Sequence, residues 1–81
     1  MTIVYSVPSS EILQMADSYL RCVANLLDAK LEDSTIASVA NDVVEHVEMV
    51  FDTDNVRDMK EFRAFVMQSV IHRMAPYAEA Q

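Results

Sequence analysis

The sequence contains no glycine, although average usage is about 7%. Glycine-rich loops that bind phosphate, glycine-based hairpin turns and glycine helix caps are therefore excluded. Short connections must instead use Asp, Asn, Ser and Thr, which form turns through their own side chains. This composition favours an all-α fold.

Cysteine is almost absent as well. Cys22 is the single cysteine, so the chain cannot form an internal disulfide, and we expect an intracellular, cytoplasmic protein. No apolar run approaches the roughly 18 residues of a membrane span. Residues 1–10 have neither the basic region nor the long apolar segment of a secretory signal.

Positive charge is scarce. Six Lys and Arg residues oppose thirteen Asp and Glu residues, which gives a net charge of −7. Direct binding to nucleic acid or to an anionic membrane is disfavoured, because both depend on neutralising negative charge. A protein partner with a basic surface, or simply a role of the charge in solubility, is the better match.

The chain is short but rich in apolar residues. Its 81 residues correspond to one domain, and 52% of them are hydrophobic, which is enough for a core. A domain of this size buries only about 60% of the surface that its unfolded chain exposes. Helical packing or oligomerisation commonly supplies the remaining stability.

Apolar residues recur at helical spacing over three segments. We predict a single domain with an extended arm at 1–8, helices at about 10–31, 34–51 and 55–75, and a tail at 76–81. The predicted core faces contain Ile12, Leu13, Ala16, Tyr19, Leu20, Val23, Leu26 and Leu27; then Ile36, Val39, Ala40, Val43, Val47, Val50 and Phe51; then Val56, Met59, Val66, Met67, Val70 and Met74, with Phe62 at the edge.

The helix ends have their own predicted chemistry. Ser9 or Ser10 is expected to cap the first helix, and Asp54 or Asn55 the third, because a short side-chain oxygen accepts from the first amides. The predicted first turn of the third helix then includes Asp58, where the helix dipole favours an anion. Pro76 is expected to end that helix.

The arm and Phe65 raise the question of self-association. Residues 2–7 are β-branched or aromatic and read as an extended segment, which must pack on its own helices or exchange with a second copy. On the third helix, Phe65 falls on the polar side, and Arg63 falls inside the apolar stripe. These features favour a homodimer in which Ile3, Val4, Tyr5 and Phe65 form the contacts.

Catalytic and metal-binding patterns are missing. The two histidines, His46 and His72, lie on different predicted helices, and Val43 and Ser69 stand where the Glu of a Glu-x-x-His pair would be. We therefore predict no catalytic residue, metal or cofactor, and no enzyme. A small enzyme or metal-binding protein that uses Cys22 or His46 is retained as an alternative.

The acidic residues are the main candidates for function. The predicted partner-binding residues are Asp42, Glu45, Glu48, Asp52, Asp58, Glu61 and Phe65. Such a surface steers association with a basic partner. We expect an inhibitor or adaptor of a basic or nucleic-acid-binding protein, of the kind that phages and mobile elements often encode. The alternative is a structural subunit that self-associates through its arm and third helix.

Overall fold

The computed structural model describes residues 3–79 and contains three α-helices in that range. Helix α1 spans Ser9–Leu26, α2 spans Asp33–Val50 and α3 spans Met59–Glu79. Each helix packs against both others, so the prediction of an all-α, three-helix domain is confirmed. No helix in the described part of the chain is long and apolar enough to cross a membrane.

One apolar core lies between the helices. Its members are Ile12, Ala16, Leu20 and Ala24 of α1; Ile36, Val39, Ala40, Val43, Val44 and Val47 of α2; Phe62, Val66, Val70 and Met74 of α3; and Val7 and Val56 outside the helices. In α1 and α3 the buried side chains recur every fourth residue. Rows with this spacing form ridges that fit into the grooves of a neighbouring helix.

Several predicted positions differ, because a row of every fourth residue turns slowly around its helix, by about 40° at each step. Phe62 is therefore fully buried rather than at the edge of the face. Arg63 is exposed rather than inside the stripe, and Phe65 is half-buried against the core rather than on the polar side. Three residues predicted to face the core are exposed, namely Leu13, Leu26 and Val50.

Helix α1 ends about five residues earlier than predicted. The backbone amide of Ala29 donates to the carbonyl of Ala24 at 2.8 Å, and that of Asp28 donates to Asn25 at 3.2 Å. These bonds form a Schellman cap, in which the residue after the helix adopts a left-handed conformation. Asp28 fills that position with φ 53°, so an Asp takes the place that glycine usually occupies.

The start of α1 also differs from the prediction. No side chain caps this helix, and Pro8 occupies the N-cap position. Ser9 is already helical, and its hydroxyl donates instead to Oε2 of Glu48 at 3.0 Å. The predicted Ser9 or Ser10 cap is therefore wrong, and the hydroxyl joins α1 to α2.

The N-terminal arm packs on its own domain. Tyr5 and Val56 exchange two backbone hydrogen bonds of 2.8 and 2.9 Å, and the amide of Val7 donates to Thr53 at 2.8 Å. The side chain of Val7 is 2% exposed. The connection between α2 and α3 therefore supplies the strand partner that the arm lacked in sequence, and no exchange with a second copy is required for it.

Helix α3 begins and ends later than predicted. Pairing with the arm holds Val56 in an extended conformation, so Asp54 and Asn55 cannot cap the helix, and Asp58 does so. At the other end, α3 continues through Pro76 to Glu79. A proline this close to a helix end removes only one backbone hydrogen bond, and Tyr77 packs against the core. The last two residues of the predicted tail lie outside the described residues.

We expect Asp58→Ala to lower the free energy of unfolding by about 1 kcal/mol, the usual effect of losing an N-cap. Its Oδ1 accepts from the amides of Lys60 at 3.0 Å and Glu61 at 3.1 Å. Urea unfolding followed by circular dichroism measures the change. Asp42→Ala is the control, because that exposed carboxylate accepts no hydrogen bond within residues 3–79. Equal losses in both variants would contradict the capping role.

Candidate protein-binding surface

Four segments meet at the end of the bundle where α2 turns into α3. In addition to the arm pairing, the hydroxyl of Ser6 donates to Oδ1 of Asp54 at 3.1 Å, and Ser9 donates to Glu48. These bonds bring the arm, the start of α1, the end of α2 and the connection to α3 together. We call the exposed residues among 3–6 and 48–61 the turn-end surface.

Large apolar side chains are exposed on the turn-end surface. They are Ile3, Val4 and Tyr5 of the arm, together with Met49 and Val50 of α2. Met49 is 85% exposed, which is high for an apolar side chain in a folded helix. Scattered apolar residues need no explanation, but a group held at one end of a domain is typical of an interaction site.

Carboxylates are numerous on the same surface. The stretch 48–61 contains Glu48, Asp52, Asp54, Asp58 and Glu61, against only Arg57 and Lys60. Asp52, Asp58 and Glu61 line one shallow cleft of about 230 Å³, which Phe51 and Arg57 also line. The turn-end surface therefore combines exposed apolar area with an excess of negative charge.

The base of this surface is an aromatic cluster. Phe51 packs edge-on against Phe62, with ring centroids 5.4 Å apart, and against Phe65 at 4.9 Å. The carboxylate of Asp52 accepts from the amide of Asp54 and from the side chain of Asn55, which closes the turn. These contacts order the turn that joins α2 to α3.

The predicted partner-binding residues do not all lie on one surface. Glu48, Asp52, Asp58 and Glu61 lie on the turn-end surface, as listed above, and Glu45 is exposed one helical turn before Met49. Asp42 lies nearer the start of α2, where it lines a cleft together with Arg73. Phe65 is half-buried and lines a groove between α2 and α3. Of the predicted self-association residues, Ile3, Val4 and Tyr5 are exposed.

Met49 and Val50 were not among the predicted site residues. Val50 was assigned to the core with Phe51 because it continues the apolar spacing of α2, but the helix ends there and only Phe51 packs against the core. Their position in the sequence could have indicated exposure, because both come just before the polar turn 52–55 and have acidic residues close by in the sequence.

Cys22 and His46, the residues considered for an enzyme or a metal site, do not lie in a catalytic or metal-binding arrangement within the described part of the chain. Cys22 is exposed on α1, and His46 is half-buried with Nδ1 3.1 Å from the hydroxyl oxygen of Ser69. Within residues 3–79, no three His, Cys, Asp or Glu side chains converge as a metal site would require. The absence of enzymatic activity stays a prediction.

Comparison of the chain with models of protein families, with curated proteins and with solved structures finds no match. The function of the turn-end surface must therefore be inferred from its own residues.

Proposed function

We propose that the chain is a non-enzymatic protein-binding module whose turn-end surface binds a basic segment of another protein. The observation that supports this proposal is the placement of Met49 and Val50 among carboxylates at one end of the bundle. Specific interfaces have the same composition, with an apolar centre that excludes water and a polar rim. The apolar residues supply affinity, and the acids select the partner.

Charge decides which partner the surface accepts. Carboxylates attract Lys and Arg side chains during diffusional encounter and repel acidic proteins and nucleic acids. Arg57 and Lys60 reduce this field but leave it negative. A partner with an apolar side chain flanked by basic residues is complementary to this surface.

Occupation of a basic surface gives the module its proposed effect. If the partner uses that surface to bind nucleic acid, the carboxylates of the turn end would take the place of phosphates and inhibit the partner. If the surface serves another purpose, the same contact would make the module an adaptor. The inhibitor role predicts that the captured protein loses nucleic-acid binding in proportion to the amount of module added.

Glu48→Lys is expected to weaken partner binding at low salt by about tenfold, mostly through a slower association rate, because a rim charge acts during encounter. Glu32→Lys is the matched control. It makes the same change of charge at the opposite end of α2, where Glu32 is exposed and its side chain makes no capping hydrogen bond. Surface plasmon resonance with the captured partner measures both rates.

Salt provides the second part of this test. The difference between the two variants should shrink as ionic strength rises, because screening lengths fall from about 10 Å at 0.1 M to about 3 Å at 1 M. Equal association rates for the two variants at low salt would refute the acidic contribution.

Self-association remains a second candidate, because Ile3, Val4 and Tyr5 expose apolar area on the same surface. It predicts that sedimentation gives a dimer mass for the purified chain. Tyr5→Ser should then yield the monomer without loss of helicity, since the pairing of Tyr5 with Val56 uses only backbone atoms.

A further inference from the structure

A second polar feature lies away from the turn-end surface, in the groove between α2 and α3. Two adjoining clefts of about 420 and 380 Å³ open there and share His72 and Arg73 as lining residues. These volumes lie within the range of small-molecule sites, about 300–1,000 Å³. His46 and Phe65 line the first cleft, and Tyr77 lines the second.

The part of α3 that lines this groove carries positive charge, whereas the chain as a whole is negative. Residues 62–78 contain Arg63, His72 and Arg73 and no acid, although the chain has thirteen acids. His72 and Arg73 line both clefts. The first cleft has no acid among its lining residues, whereas Asp42 lines the second. The first cleft is therefore the favourable position for an anion, because negative charge farther away is screened by salt over a short distance.

Arg73 lacks the partner that a half-buried arginine requires. Its Nε is buried and donates to no acceptor within the described residues, and its Nη2 donates only to the backbone carbonyl of Asp42, at 3.5 Å. Both salt bridges found in residues 3–79 belong to Arg21. A buried donor without an acceptor is costly, and each such group in a folded protein calls for an explanation.

We propose that this groove binds a small molecule through its oxyanion, a carboxylate or a phosphate attached to an aromatic or apolar body. The two terminal Nη groups of Arg73, rather than its buried Nε, donate parallel hydrogen bonds to the anion, a geometry that suits both carboxylate and phosphate. His72 lies beside it as a second donor. The rings of Phe65 and Tyr77, which line the two clefts on either side of Arg73, contact the apolar body.

The site is also held in place by the core. Ser69 is 5% exposed and its hydroxyl lies 3.1 Å from Nδ1 of His46, which fixes the orientation of that ring. The same ring stacks at a tilt on Phe65, with centroids 5.4 Å apart. One wall of the first cleft is therefore preformed, which lowers the cost of ordering it when a ligand binds.

The test is a titration of the full chain with phenyl phosphate, benzoate and inorganic phosphate at constant ionic strength, followed by backbone amide shifts in NMR spectra. We expect saturable shifts confined to the neighbourhood of residues 46, 69, 72 and 73. Phenyl phosphate should bind more tightly than inorganic phosphate, because only the former has a ring for the clefts. The comparison of phenyl phosphate with benzoate distinguishes a phosphate from a carboxylate ligand.

Arg73→Gln should weaken binding at least about tenfold, the loss expected when a charge-assisted hydrogen bond is removed. Arg63→Gln is the matched control, because it removes the same charge from an exposed position on the same helix and should change affinity less than about twofold. His72→Gln, which alters an exposed residue, provides a second variant if Arg73→Gln does not fold. Equal losses in the position 63 and 73 variants, or shifts that spread over the whole surface without saturating, would overturn the proposal.

Discussion

Leu20→Ala is expected to destabilise the domain by about 2–5 kcal/mol, which is the range for truncating a buried leucine. Leu20 is fully buried in the row of α1 that faces both other helices. Small domains have a total unfolding free energy of about 5–15 kcal/mol, so this variant should lose a large part of its stability. Urea denaturation followed by circular dichroism measures the loss directly.

Leu26→Ala is the control for that experiment. It makes the same chemical change on the same helix, but Leu26 is 80% exposed. Its effect should stay within about 0.5 kcal/mol, as for most surface substitutions. Comparable losses in the two variants would mean that α1 packs through a different face from the one described.

Val7→Asp should be the most disruptive single change in the arm. The side chain of Val7 is 2% exposed, so aspartate there would be a buried charge without a partner, and each such charge costs several kcal/mol. We expect the midpoint of thermal unfolding to fall by more than about 10 °C, given about 4–8 °C per kcal/mol for a domain of this size.

The matched control is Val4→Asp in the same arm. Val4 is 44% exposed, so aspartate remains in water at that position and should change the unfolding midpoint by only a few degrees, about 0.5 kcal/mol or less. Differential scanning calorimetry gives both midpoints. A small effect of Val7→Asp would show that the arm is not packed on its own helices and would return strand exchange with a second copy to consideration.

The sequence was sufficient to predict three helices because the apolar spacing and the lack of glycine act locally. The helix ends were harder to predict, since they depend on contacts with distant segments and on backbone conformation. The start of α3 is fixed by Tyr5, which pairs with Val56 across the chain, and no local pattern near Asp54 or Asn55 reports that pairing. Asp28 shows the same limit, because its left-handed conformation closes α1 without the usual glycine.

The candidate sites were predictable in part. The excess of acids at 48–61 is visible in the composition, and the structure places most of those residues at one end of the bundle. The α2–α3 groove was missed because its residues are separated in sequence and because Phe65 was placed on the wrong side of its helix. The absence of acids from 62–78 was the available signal.

The central claim is that the turn-end surface is where a basic partner binds. Its most direct test places the photo-crosslinking residue p-benzoylphenylalanine at position 49 or at position 26, in lysate of the cells that produce the protein. Met49 and Leu26 are exposed to nearly the same extent, 85% and 80%, but they lie at opposite ends of the bundle. We predict an adduct with a basic protein from position 49, in lower yield at high salt and on introducing Glu48→Lys, and none from position 26. Adducts of equal yield from both positions, or an adduct from position 26 alone, would contradict the assignment of this surface.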